Sequence, residues 1–335
     1  MDFDFTQPQV TVVEKSTKGK SFFIYGDNRT GKTENAVRFP KPFAVPFEKG
    51  LNAIAGLPFQ QPTKWSDTRK ITKQFMRKEV KGLYETIIID TADKMGEMLI
   101  KYICSKHGVD AIGDANNGFG AYSDISKYLS EFIDPLLNEN YTVVILGHDT
   151  EKQVPDPQTG EKYSRVVPRG DKRVVQAICD AVDVIGYCQS NGFDADTGEE
   201  ILSTIYLKDA KYYKAGSRWR HIVKEVTPFT VDGLTKALVD AIKKQEKEDG
   251  EELKGNYVEH KAIEAPTVAV SFEEVVARLT EIYKIIKEKT GEYTIALTMT
   301  EDKLGKDVKI SSCTRKHQEI LEELLEEMEE KITEI

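Results

Sequence analysis

Residues 26–33 read Gly26-Asp27-Asn28-Arg29-Thr30-Gly31-Lys32-Thr33. The stretch fits G-x-x-x-x-G-K-[ST], the P-loop pattern. A chain of 335 residues matches that pattern by chance on the order of one time in a hundred at average residue usage. The flanks agree with it. Lys20–Tyr25 (KSFFIY) reads as a buried strand entering the loop, and Thr33–Phe39 as a helix closed by Pro40. Strand, Gly-containing loop and helix N-terminus gather backbone N–H groups around an anion, so the arrangement predicts a phosphate site. All eight residues from Gly26 to Thr33 are expected to wrap ATP, with Lys32 reaching the β- and γ-phosphates and Thr33 offering its hydroxyl to Mg2+. Gly26 and Gly31 permit conformations and close approach that a Cβ hinders. Asp27, Asn28 and Arg29 stand where small residues are common, and Arg29 is expected to face solvent.

Further along, Thr86–Asp90 (TIIID) is a β-branched run ending in an acid, as in a buried parallel strand. An apolar run ending in Asp is common by itself. Behind a P-loop it predicts a Walker B strand, with Asp90 holding Mg2+ beside Thr33. Thr91 and Asp93 are candidates to support that cation from outside its immediate ligands. Glu48 ends the strand Pro42–Phe47 and is placed to orient and activate an attacking water; a plain surface glutamate is the competing reading. His148 ends the strand Tyr141–Leu146 after Gly147. There it is positioned to sense the γ-phosphate and pass its loss to the next loop, although a lone His is more often structural.

The remaining pattern alternates strands and helices. Helices are expected near residues 61–81, at Met95–Ser105, at Tyr122–Asn138 with Pro135 kinking or ending it, at Val174–Asp180 and at Val231–Gln245. Strands are expected at Val10–Val13, Ala181–Tyr187 and Ile201–Leu207, and polar loops at 107–120 and 150–171. This order implies an α/β fold, a mostly parallel sheet flanked by helices. The domain reading is 1–245 for the ATPase core, 246–270 for a linker and 271–335 for a small α+β domain of helix, two strands and a charged helix.

Hydrophobic residues make up 39% and charged residues 31%, which suits a soluble globular chain. No apolar run reaches the roughly 18 residues of a membrane span, so none is expected, and acidic MDFDFTQPQ shows no signal-peptide pattern. Cys104, Cys179, Cys188 and Cys313 form no C-x-x-C pair and suit reduced thiols in the cytoplasm. The net charge of −9 argues against nucleic acid only until it is mapped. Much of the acid lies in Glu319–Glu330, whereas Lys64–Lys81, Lys162–Arg173 and Lys208–Arg220 are locally basic, and local potential decides binding.

Taken in order, GDNRTGKT, a strand ending in Glu48, TIIIDTAD, a strand ending in GHDT and the basic segment Lys208–Arg220 resemble the RecA superfamily, most closely its phage single-strand-annealing ATPases. The resemblance covers residues 8 to about 240 and leaves out 271–335. It implies a RecA-like P-loop ATPase core in which Glu48 activates water and His148 couples nucleotide state to a DNA-binding loop. It further implies that loops 107–120 and 150–171 line a single-stranded DNA path. Lys152, Lys162, Arg165 and Arg169 would then meet phosphates, and Tyr163 or Phe119 would stack on bases. Cations supplied by a neighbouring copy, Lys214 and Arg218 foremost, would complete the site of a ring or filament. The host cytoplasm is the expected location if the chain is phage-encoded. The acidic terminal helix leaves three readings open: a solvated helix, which is favoured, a DNA mimic, or a recruiter of a replication or single-strand-binding protein. A protein-remodelling or assembly ATPase without a DNA role is the alternative for the whole chain.

Overall fold

The computed structural model describes residues 14–50, 54–253, 271–305 and 308–334. The strand expected at Val10–Val13 and the body of the expected linker, 254–270, lie outside them. The described residues divide into two compact units, 14–50 with 54–253 in one and 271–305 with 308–334 in the other.

The larger unit is organised by one sheet. Its strands β1 (Ser21–Gly26), β2 (Pro42–Pro46), β3 (Thr86–Asp90), β4 (Thr142–Gly147) and β7 (Val184–Gln189) run parallel in the order β7-β1-β4-β3-β2. Beyond β7 the short strands β8 (Thr204–Tyr206) and β10 (Glu225–Val226) continue it antiparallel, and β9 (Gly216–Ser217) also pairs with β7. All of Ser21–Gly26, Thr86–Asp90 and Thr142–Gly147 are buried. Burial on both faces explains why these strands read as unbroken apolar runs rather than alternating ones.

Alternate side chains of β1 serve different layers. Phe23 and Tyr25 pack with helices α2 (Ser66–Phe75), α3 (Ala92–His107), α4 (Ser123–Asn138) and α5 (Lys172–Ala181) through Phe75, Leu99, Phe132 and Ile178. Phe22 and Ile24 pack on the opposite face, with Ala36 of α1 (Lys32–Ala36) and Leu234, Leu238 and Ile242 of α6 (Val231–Leu253). Each fully buried side chain of this size contributes about 1.5–3 kcal/mol, so the two layers fix the strand carrying the P-loop. Helix ends follow local chemistry. Asp171 caps α5 by accepting from the amides of Arg173 and Val174, and Gly108, at φ 64°, closes α3 in the left-handed region.

Three expectations need correction. Residues 150–171 are not a loop: β5 (Asp149–Pro155) and β6 (Lys162–Pro168) pair antiparallel over seven residues as a hairpin. Its turn is shaped by Asp156, whose carboxylate accepts from the amides of Gln158 and Thr159, and by Gly160 at φ 73°. Pro135 does not end α4 early. The helix runs to Asn138, because the amide that proline lacks falls in the last turn, where little helix remains to be disturbed. In the smaller unit the described residues are helical, not α+β: α7 (Phe272–Thr290), α8 (Thr294–Leu304) and α9 (Gln318–Glu334). The TIALTMT stretch carries β-branched residues, but Ala296 and Thr300, four apart, both face the buried core, so packing overrides propensity. That core includes Val275, Leu279, Ile282, Leu321 and Leu324. Ser271 and Glu274 form a reciprocal capping box at the start of α7.

Candidate active site

Because β1, β2, β3, β4 and β7 are parallel, the loops at their C-terminal ends share one edge of the sheet. Open α/β sheets bind ligands at that edge. Glu48 follows β2, Asp90 closes β3, His148 follows β4 and the P-loop follows β1. Strand β4 sits between β1 and β3, so His148 lies between the P-loop and the Asp90 strand.

The P-loop glycines have different duties. At Gly26 a Cβ would lie 2.0 Å from the carbonyl oxygen of Cys188 on β7, so close strand pairing as well as phosphate access demands glycine. Gly31 adopts φ 72° just before α1, a conformation that favours glycine. Arg29 is exposed at φ 62°, as the solvent-facing reading expects.

Lys32 is buried, 8% exposed, yet it is a cation. Its ammonium donates to the carbonyls of Gly26 at 2.9 Å and Asp27 at 2.5 Å and to the Thr30 hydroxyl at 3.2 Å. Burial pushes its pKa down, and the negative charges of Asp149, Asp90 and Asp27 oppose that push. Its hydrogen-bond acceptors are neutral groups of its own loop, which leaves its charge available to a phosphate anion.

The carboxylates beside it want a cation. The Thr33 hydroxyl donates to Asp90 Oδ2 at 3.3 Å. Burial, and then the charge of Glu48, raise Asp90 from 3.8 to about 6. Half-buried Glu48 is close enough that its charge also acts on His148. Among the described residues no group of three or more His, Cys, Asp or Glu forms a metal cluster by itself. A hydroxyl and one carboxylate are nevertheless the partial oxygen set that Mg2+ takes when nucleotide and water supply the remainder. The donor chemistry therefore fits Mg-ATP: a buried cation for phosphate beside crowded carboxylates for the metal.

His148 is held by Asp93, its Nδ1 lying 3.1 and 3.3 Å from the two carboxylate oxygens. Bonding to Asp93 raises the imidazole pKa. Burial works against the charge on Asp93, but the bonds from His148 and Thr91 and the His148 charge together outweigh it, and the carboxyl falls to about 2. Asp93 thus supports the histidine. The His148 carbonyl then accepts from the Arg169 amide at 2.8 Å, and Arg169 Nε donates to the Asp149 carbonyl at 3.1 Å. The base of the β5–β6 hairpin is thereby tied to His148.

Lys214 and Arg218 do not join the phosphate site of their own chain. Arg218 pairs with Asp183 at 3.2 Å, and Asp183 accepts from the Ser21 amide at the start of β1, the sheet edge opposite the P-loop. The half-buried Lys214 side chain lies against Cys179 of α5. Sequence reasoning missed Asp149, whose carboxyl is raised by burial and by Asp27 and whose charge acts on Lys32. It also missed Tyr187 and Gln189, which with Asp27, Asp149 and Glu151 line a cleft of about 430 Å³ beside the P-loop. GHDT carries Asp149 directly after His148, so the signal was present; the cleft depends on β7 lying next to β1 and had none.

A family model described as an AAA domain matches residues 18–219, which contain every residue of this site. The SPbeta prophage-derived uncharacterized protein YorG of Bacillus subtilis (strain 168) is 34% identical over 336 residues, with both chains covered in full. The chain belongs to the AAA-domain family of P-loop ATPases. Among the described residues no helix is long and apolar enough to cross a membrane.

Proposed function

We propose that this chain is a phage-type, RecA-like ATPase that couples Mg-dependent ATP hydrolysis to binding of single-stranded DNA in annealing or recombination. The observation that carries the hydrolytic part is the convergence of Lys32, Thr33, Asp90 and Glu48 at one sheet edge, with Lys32 buried as a cation and Asp90 raised by burial and by Glu48. Thr33 and Asp90 would hold the magnesium, which when bound neutralises charge on the β- and γ-phosphates. Lys32 pulls on the same phosphates, and Glu48 orients a water for in-line attack and takes its proton. His148, fixed by Asp93, faces the position of the γ-phosphate and passes its loss to the hairpin.

The DNA part is supported by that hairpin. It begins at the residue after His148 and carries Lys152 and Lys162, which make no ion pair among the described residues. A prophage-derived relative suits a phage protein working in host cytoplasm. A ring or filament in which Arg218 serves a neighbour's site would require its pair with Asp183 to open. The net charge of −9 favours the second reading, an ATPase acting on protein partners. Both readings are tested by phosphate release with and without single-stranded DNA at low and moderate salt. Stimulation by single strands with little from duplex is the expected result. Neither stimulation nor DNA retention would leave the protein-directed reading, and unchanged turnover in Lys32→Ala would overturn both.

A further inference from the structure

The basic segment Lys208–Arg220 is joined to the hairpin. The Val166 amide donates to the Tyr212 carbonyl at 2.8 Å, and the Lys214 amide donates to the Val166 carbonyl at 3.1 Å. This single parallel bridge sets Tyr213 beside Val166 of β6. Side chains lock it further: Arg165 binds Asp209 at 2.6 and 2.7 Å and the Tyr213 carbonyl at 3.2 Å.

Successive residues then point opposite ways. Tyr213 turns inward and stacks on Tyr187 with ring centroids 5.4 Å apart. Tyr212 turns outward and stays 63% exposed. Its ring meets Tyr163 of β6 edge-on, at 6.1 Å and 90°. Lys211 lies over the Tyr163 ring at 4.9 Å and is held there by Asp156 at 2.7 Å. Lys152 and Arg165 are cross-strand partners two residues further along the hairpin.

We infer that Tyr163, Lys211 and Tyr212 form a stacking platform for the bases of single-stranded DNA. This rests on the DNA reading above and gives it a site. The charges explain why stacking leads. Asp156 and Asp209 already pair with Lys211 and Arg165, so much of the local cationic charge is used within the protein. Base–aromatic stacking needs no such charge and tolerates any sequence, because every base offers a π-face. Lys152, Lys162 and Lys208, unpaired among the described residues, would track the phosphates at the rim. The platform is anchored to the nucleotide site by Tyr25 on β1, whose hydroxyl donates to the Lys214 carbonyl at 2.5 Å and accepts from its amide at 3.1 Å.

Fluorescence anisotropy of a labelled oligo-dT with full-length protein tests the platform. Tyr212→Ala is expected to weaken binding roughly 5- to 150-fold, the range that loss of one base–aromatic stack produces. It should leave the slope of log K against log salt unchanged, and Tyr212→Trp should restore affinity. Lys162→Ala, at the rim, should instead flatten that slope by about 0.7, one single-strand counterion. Circular dichroism melts check that each variant folds. If wild type binds oligo-dT and Tyr212→Ala binds equally well, the platform is wrong while the DNA reading stands. If wild type does not bind oligo-dT, the DNA reading fails and the platform with it.

Discussion

Replacing Asp90 with Asn is expected to stabilise the nucleotide-free protein while removing its hydrolysis. The Asp90 carboxyl is 5% exposed, and burial, followed by the Glu48 charge, lifts it from 3.8 to about 6. A group whose pKa is higher folded than unfolded holds more protons in the folded chain between the two values. Stability therefore falls as pH rises across that interval. The loss is absent near pH 4, grows between about pH 4 and 6, and is complete above that. A lift of about two units corresponds to about 3 kcal/mol. Asparagine keeps the shape, and its oxygen still accepts from the Thr33 hydroxyl, but it carries no charge to bury. The variant should melt about 6–12 °C above wild type at neutral pH, at 2–4 °C per kcal/mol for a unit of this size, and match it near pH 4. Calorimetry of both proteins, free of metal and nucleotide, across roughly that pH range is the assay. Parallel melting curves at all pH values, or an asparagine variant that melts lower at neutral pH, would refute the reasoning.

Other residues give further outcomes. Glu48→Gln should lower kcat by about 10²–10⁴ while a fluorescent ATP analogue still binds; unchanged turnover would remove Glu48 from water activation. Asp93→Asn should return the His148 pKa towards its ordinary value, read by NMR titration of the imidazole, and an unmoved titration would show that the pair is incidental. In wild type the raised His148 adds stability below its unfolded pKa of about 6.5 that is lost as pH rises through the folded value. Depressed Asp93 adds stability above about pH 4 that is lost as pH falls towards 2. Tyr25→Phe leaves the Lys214 carbonyl without its partner and should cost about 1–3 kcal/mol in urea unfolding; a variant as stable as wild type would mean that the hydroxyl carries no structural load.

The parallel core was legible because its strands are buried on both faces and so read as unbroken apolar runs, with β3 ending at Asp90. The P-loop was legible because its pattern joins side-chain chemistry to backbone need. The hairpin was not. Its strands carry Asp149, Glu151, Lys152, Lys162 and Arg165 with partly exposed faces, and partial exposure removes the strict alternation that marks a half-buried strand. Helix α8 was missed for the opposite reason, since β-branched residues suggest strand until the partner helices are known. The His148–Asp93 pair spans 55 positions, and nothing local in either residue announces it.

These two kinds of legibility meet at the hairpin. One tie runs from its base to the His148 carbonyl through Arg169, and the other from the bridged segment at Lys214 to Tyr25, the residue before Gly26. β1 and β4 are neighbouring strands that end at the same nucleotide site, so the hairpin is held at two points by the elements that flank the γ-phosphate position. Moving one tie alone would break the Lys214 or Arg169 hydrogen bonds, at about 1 kcal/mol each, so the two ties favour movement of the hairpin as a body. On the proposed coupling, nucleotide state would change the platform's orientation rather than its internal packing, which the Tyr213–Tyr187 stack and the Arg165–Asp209 pair support. Any DNA affinity that depends on nucleotide would follow from where Tyr163 and Tyr212 are presented, with the distance between their rings unchanged.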